Sequence, residues 1–212
     1  MIGRRRYSMK KIEKVTQLTH NPYLNLYELS GVNKKRDSFK YFVSSRAKKV
    51  SDLKITTKNH TPDGVFIYSL YGEKQDHVIL VRQYRYSIDD YIYEFPAGLV
   101  ESDENYKDAA IREMKEETGL TLETIEVDEM YEKPYFTTIG MTDESCATVY
   151  GYAKGTPNLE GLEDNEELEV VIADREEVKR ILKEERASIM CACMLMHFVK
   201  DTEDPFAFLR NN

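Results

Sequence analysis

Short apolar-rich segments alternate with polar turn signals along most of this chain. KIEKVTQL, YLNLYEL and SFKYFVSS, between about Lys11 and Lys58, read as short strands, separated by Asn21-Pro22 and by Gly31-Val32-Asn33. They predict a small antiparallel sheet ahead of the main body. NHTPDG, Asn59 to Gly64, then breaks the chain before VFIYSLY and HVILVRQYR, two of its most strand-like segments, and YIYEF adds a further strand. A helix is expected from about Asn105 to Thr118, with Gly119 as its left-handed stop. Strands are expected again around Thr124 to Met130, Ser145 to Ala153 and Leu168 to Ile172. ADREEVKRILKEE starts at a capping Asp174 and puts Val178, Ile181 and Leu182 on one face. SIMCACMLMHFVK, from Ser188, closes the fold as a more apolar helix. Strands and helices mixed in this order give an α/β or α+β domain with helices packed on a sheet. The expected organisation is a tail over residues 1–9, an N-terminal β region over 10–58 and a main domain over 59–212. Met9 is an alternative start to Met1.

Composition narrows the class. A chain of 212 residues with 41% hydrophobic residues, 15 tyrosines and 8 phenylalanines can bury a real core. Its net charge of -8 argues against nucleic acid as a main partner. No apolar run is long enough to span a membrane, and MIGRRRYSMKK has no apolar segment after its basic residues, unlike a secretory signal. The three cysteines, Cys146, Cys191 and Cys193, form no disulfide framework, and the odd count fits a reducing cytoplasm. Cys191 and Cys193 point to different helix faces and read as small core residues. The acidic run LEGLEDNEELE, Leu159 to Glu169, reads as a solvated loop.

The stretch REMKEETG, Arg112 to Gly119, holds three carboxylates and an arginine within six residues. On a helix Glu113 and Glu117 stand one turn apart with Glu116 between them, so their oxygens can converge on one volume. One reading is a solvated face with Lys115 as counter-charge. The other is a cation site, because like charges at these spacings destabilise a helix unless something neutralises them. Clustered carboxylate oxygens suit a hard cation such as Mg²⁺ or Mn²⁺, and the preceding loop, EFPAGLVES, can add a backbone carbonyl. Arg112 either points away from the Glu113/Glu117 edge or folds back to orient one carboxylate. Ions so held would bridge phosphate oxygens and lower the pKa of a bound water.

Gly98, Glu104, Arg112, Glu113, Met114, Glu116, Glu117, Gly119 and Leu120 match the pattern G-x5-E-x7-R-E-U-x-E-E-x-G-U, with all seven fixed positions in agreement over 23 residues. This resembles the Nudix box. The resemblance implies an α/β/α sandwich with a mixed sheet and hydrolysis of a nucleoside diphosphate linked to another moiety. It implies Glu113, Glu116, Glu117 and the Ala97 carbonyl as metal ligands, Arg112 and Glu104 as supports of the loop-helix-loop, close backbone approach at Gly98 and a helix end at Gly119.

Outside the box, VRQYR (Val81 to Arg85), YEFPAGLVE (Tyr93 to Glu101) and the β-rich N-terminal region look like the ADP-ribose pyrophosphatase branch. That resemblance implies Arg85 as a contact to the substrate diphosphate. YFVSSR suggests Tyr41 or Phe42 as a stacking surface and Arg46 as a phosphate contact; an ordinary core role for the two rings is the competing reading. With no tryptophan in the chain, base stacking falls to Tyr or Phe. In TTIGMTDES, Ile139 stands where the branch has proline, and Glu144 is the candidate to orient or deprotonate the attacking water, with Asp143 the alternative. The expectation is an Mg²⁺-dependent hydrolase (Mn²⁺ a substitute) that splits ADP-ribose into AMP and ribose 5-phosphate. It would act as a cytoplasmic homodimer. ADP-glucose, GDP-mannose or another nucleotide sugar is the alternative substrate. A non-catalytic nucleotide-sensing domain would call for eroded box carboxylates, which this sequence does not have.

Overall fold

The computed structural model describes residues 11–162, 166–201 and 203–210, so the expected tail over residues 1–9 lies outside the described residues. The chain folds as two compact units, Met1–Thr61 with Phe136–Ser145, and Pro62–Tyr135 with Cys146–Asn212.

In the first unit the three expected strands are β1 (Ile12–Gln17), β2 (Asn25–Val32) and β3 (Ser38–Ser45), an antiparallel sheet in the order β1-β2-β3. The turn before β2 closes on a buried side chain. Asn25 Oδ1 accepts the Asn21 N–H at 2.7 Å, and Asn25 Nδ2 donates to the Asn21 carbonyl at 3.1 Å. Tyr27, Leu29, Val43 and Leu53 form the small core under this sheet, and a single helical turn, α1 (Lys54–Thr57), follows. The 136–145 segment lies along β3, where the Ser44 N–H donates to the Met141 carbonyl at 2.9 Å.

The second unit is built on a mixed sheet. β4 (Gly64–Tyr71) and β5 (His77–Arg85) are followed by β6 (Asp90–Glu94), β7 (Ala97–Leu99), α2 (Tyr106–Thr118) and β8 (Thr121–Thr124). Next come α3 (Glu129–Glu132), the short β9 (Tyr135–Phe136), β10 (Ser145–Lys154), β11 (Leu168–Ala173), α4 (Arg175–Glu184) and α5 (Ile189–Lys200). The strand order is β11-β5-β4-β10-β8, with β10 parallel to β4 and the other neighbours antiparallel. Side chains alternate across the sheet. Tyr68, Leu70, Val78, Leu80 and Tyr150 pack on one face under Val178 and Ile181 of α4 and Cys191, Leu195 and Phe198 of α5. Val65, Ile67, Ile79, Ala147 and Val149 face Ala109, Ala110 and Met114 of α2. Helices therefore cover both faces, the expected α/β/α sandwich.

β4 and β5 pair only near their hairpin, at Leu70↔Val78 and Tyr71↔His77, and then splay. Into the gap run β6, which pairs with β5, and β7, which pairs with β4. The segment expected as a loop ahead of the carboxylate helix is thus partly strand, and Pro96 at its bend accepts the Ile67 N–H at 2.9 Å. The strand expected around Thr124 to Met130 is also revised. Only Thr121–Thr124 pairs with β10, and Asp128 caps α3 by accepting the Met130 N–H. Ile125 and Val127 keep their alternating pattern because both pack on the α4/α5 core without a ladder partner beyond one bond, Ile125 N–H to the Tyr150 carbonyl.

Candidate active site

α2 begins where Asn105 accepts the Lys107 N–H and ends at Gly119, whose φ of 73° is the left-handed stop expected for it. Ala109, Ala110, Met114 and Thr118 are buried, which anchors the helix and aims its acidic edge at β7. Gly98 lies directly under Glu113: a Cβ at position 98 would fall 1.8 Å from Glu113 Cδ. Glu117, only 2% exposed, accepts the Ala97 N–H at 3.0 Å. Both glutamates therefore press against the Ala97-Gly98 backbone.

Arg112 folds back rather than pointing away. Its Nε and Nη2 each donate to Glu104 at 3.0 Å, its Nη1 donates to Glu113 at 2.8 Å and Glu116 at 2.9 Å, and Nη2 also reaches the Leu99 carbonyl at 3.0 Å. Glu104 in turn accepts the Glu101 N–H at 3.0 Å, which closes the turn before α2. The guanidinium, helped by that N–H, holds the Glu104 carboxyl below its ordinary value, and Glu104 above all raises Arg112.

The two carboxylates under the helix behave in the opposite way. Burial pushes Glu113 up against the pull of Arg112, with Glu116 and Glu166 adding to the rise. Burial pushes Glu117 well up, and the charges of Glu113 and Glu166 reinforce it, while the Ala97 N–H and Arg85 oppose it. Such a site disfavours the charged form of both glutamates even with Arg112 and Arg85 beside them. An oxygen-only donor set fits a hard divalent cation, and the ion would relieve the cost of keeping these groups ionised. Among the described residues no three His, Cys, Asp or Glu side chains are gathered to hold an ion; in this arrangement Arg112 occupies Glu113 and Glu116.

Arg85 lies at the end of β5, its Nε donating to Glu94 at 2.6 Å. Glu166 escaped the sequence reading because it sits inside an acidic run that looks like solvated loop. Part of that run is not loop: Leu168 and Glu169 open β11. Before it, Asn158 N–H donates to the Thr118 carbonyl, and a Cβ on Gly161 would lie 2.9 Å from Glu116 Cα. Close packing on α2 draws this chain against the helix, and spacing within the run gives no sign of it.

Tyr41, Phe42, Arg46, Asp143 and Glu144 belong to the first unit. Arg46 Nε donates to Glu144 at 3.2 Å, and Thr137 Oγ1 donates to the other Glu144 oxygen at 3.1 Å. Two residues expected to act separately are thus partners. The Tyr41 hydroxyl donates to the Gly140 carbonyl, and both Tyr41 and Phe42 are exposed, so neither is a core residue. Asp143 accepts the Lys54 backbone N–H at 3.3 Å. None of the three cysteines is in a disulfide; Cys191 is buried and Cys193 exposed, on different faces of α5. Among the described residues no helix is long and apolar enough to cross a membrane.

A glycine-floored, arginine-bound glutamate helix set against a splayed mixed sheet is the arrangement of the Nudix class. The NUDIX domain family matches residues 60–193, and the chain belongs to it. An ADP-sugar pyrophosphatase of Mus musculus is 40% identical over 77 residues, 35% of this chain and 35% of that protein. An ADP-ribose pyrophosphatase of Saccharomyces cerevisiae is 28% identical over 123 residues, 56% of this chain and 53% of that protein. The chain thus matches less than two thirds of either relative's length. The crystal structure of an ADP compounds hydrolase superposes with a TM-score of 0.64 at 18% identity, covering 92% of this chain and 95% of the other, which shows a common fold.

Proposed function

We propose that the chain is an Mg²⁺-dependent pyrophosphohydrolase that cleaves ADP-ribose to AMP and ribose 5-phosphate, with ADP-glucose or GDP-mannose as the alternative substrates. The observation that carries this reading is the Glu113/Glu117 pair pressed on the Gly98 and Ala97 backbone, Glu117 buried and both carboxyls raised by burial although Arg112 holds Glu113. The names of the mouse and yeast relatives support an ADP-linked sugar.

On this reading Glu113, Glu116, Glu117 and the Ala97 carbonyl hold the ion, and Glu166 adds a further carboxylate. When bound, Mg²⁺ (or Mn²⁺) supplies charge neutralisation for the diphosphate and acidifies a coordinated water. Arg112 and Glu104 keep the helix and its preceding turn in place. Arg85 binds the diphosphate, since a planar guanidinium suits phosphate oxygens. Arg46 and Tyr41 contact the nucleotide, and Glu144, with Asp143 the alternative, accepts the proton of the attacking water. The water oxygen bonds to one phosphorus, the bridging P–O bond breaks, and the two monophosphates leave. The protein works as a cytoplasmic homodimer, which light scattering at micromolar concentration tests.

The deciding experiment is a product assay over ADP-ribose, ADP-glucose, GDP-mannose and dinucleotides with Mg²⁺, run beside Glu117→Gln. Wild type should release AMP from ADP-ribose and the variant should not. A wild-type chain that binds these compounds and cleaves none would be a nucleotide sensor instead.

A further inference from the structure

The register of β11 decides which way Glu166 faces. β11 pairs with β5 at Leu168↔Gln83, Glu169↔Arg82, Val170↔Val81 and Val171↔Leu80. Val171 packs with the α4/α5 core and Val170 with the α2 core, so even-numbered residues of this strand face α2. The ladder extends one residue before β11, where the Tyr84 N–H donates to the Glu167 carbonyl at 2.9 Å. Glu167 therefore shares with Glu169 the α4/α5 side of the sheet, whose exposed end is its outward face, and the alternation turns Glu166 to the side of α2, where its charge acts on Glu113 and Glu117.

The outward face carries the fastening. Tyr91, paired with Tyr84 across β5 and β6, donates its hydroxyl to the Glu167 carboxylate. The Arg82 guanidinium lies 4.1 Å from the centre of the Tyr91 ring and 3.7 Å from the Glu169 carboxylate. The Tyr84 and Tyr91 rings meet edge-on at 5.3 Å. A slip of one residue would exchange the faces of Glu166 and Glu167, and these contacts oppose it.

We propose that Tyr91 is a positioning residue: by holding Glu167 on the outward face of the sheet it fixes the register that turns Glu166 toward Glu113 and Glu117. The inference rests on the proposed function in taking those carboxylates as the ion's ligands. It adds a residue on the far face of the sheet that governs them without touching them.

The test is a Mn²⁺ titration of the metal-free full chain, read by electron paramagnetic resonance of the unbound ion. It compares wild type with Tyr91→Phe, Glu166→Gln and the double variant. Tyr91→Phe keeps the ring and the Arg82 contact and loses only the hydroxyl. It should weaken Mn²⁺ binding by roughly tenfold, the usual scale for a partner that orients a ligand. In the Glu166→Gln background it should add nothing, which a general structural defect would not reproduce. Glu167→Ala should behave as Tyr91→Phe does, and Glu167→Gln, which keeps an acceptor, should stay near wild type. The proposal is overturned by unchanged Mn²⁺ binding in Tyr91→Phe, by unchanged binding in Glu166→Gln, or by losses that add in the double variant. Wild type that binds Mn²⁺ yet cleaves no nucleotide sugar refutes the functional reading, while the Mn²⁺ comparison still decides the role of Tyr91.

Discussion

Gly98 of β7 and Glu113 of α2 occupy space that admits no side chain between them: a Cβ on Gly98 would stand 1.8 Å from Glu113 Cδ and 1.9 Å from its Oε1. The glycine is required by close approach, and its partner is a carboxyl at the edge of α2 rather than a core residue. Gly98→Ala should push Glu113 off the β7 backbone while leaving the sheet intact, since alanine fits a strand. Displacement of a reacting-site group by about 1 Å costs on the order of 100-fold in rate. Hydrolysis of ADP-ribose by Gly98→Ala should fall by about that factor, with a far-ultraviolet circular dichroism spectrum like that of wild type.

Arg112 spends its donors on Glu104, Glu113, Glu116 and the Leu99 carbonyl, and a lysine cannot serve them together. Arg112→Lys loses the two-pronged contact to Glu104, which braces the turn closed by Glu101. Charge-assisted hydrogen bonds of this kind contribute about 1.5–3 kcal/mol each, so urea unfolding should show a loss of about 2–3 kcal/mol. Unaltered stability would show that the network adds nothing beyond solvation.

What the sequence revealed and what it hid divide along the range of the interactions. The helix caps at Asn105, Asp174 and Ser188 and the stop at Gly119 are local, and each lies where the residue types imply. The box residues are local too, lying on β7, the turn after it, α2 and the helix's end. Ile125 and Val127 misled because alternation reports burial on one side, and packing on the α4/α5 core produces it without a continued strand. The Arg46–Glu144 pair spans 98 positions, and the Glu166 charge bears on Glu113 and Glu117 across about fifty positions of chain. Neither follows from spacing.

Glu117 sets a pH dependence of stability in the metal-free protein. Burial above all, with the charges of Glu113 and Glu166 adding to it against the Ala97 N–H and Arg85, holds its carboxyl well above the ordinary 4.5. Between the ordinary value and the raised one, the folded protein holds a proton that the unfolded chain has released. Stability contributed by this group is therefore present at low pH and lost as pH rises through that window. Glu117→Gln keeps an oxygen for the Ala97 N–H and cannot ionise. In a chelator it should melt higher than wild type at pH 8, with the gain shrinking toward pH 4. Mn²⁺ should raise the melting temperature of wild type at pH 8 and do much less for the variant.

Glu144 and Asp143 are separated by what already holds them. Asp143 accepts the Lys54 backbone N–H at 3.3 Å, a task an asparagine oxygen also performs. Glu144 lies between Arg46 Nε and Thr137 Oγ1 on a segment whose Met141 carbonyl accepts the Ser44 N–H of β3. If Glu144 accepts the proton of the attacking water, Glu144→Gln keeps the side chain's shape and one acceptor oxygen for Arg46, turns an NH2 toward the Thr137 hydroxyl, and loses the basicity. Its kcat should drop by about 100-fold or more, the lower range for a positioned general base, with KM little changed. Asp143→Asn should leave kcat within a few-fold of wild type. The reverse outcome, a slow Asp143→Asn beside an active Glu144→Gln, would transfer the role to Asp143 and make the Arg46–Glu144 pair a brace for the segment that carries it.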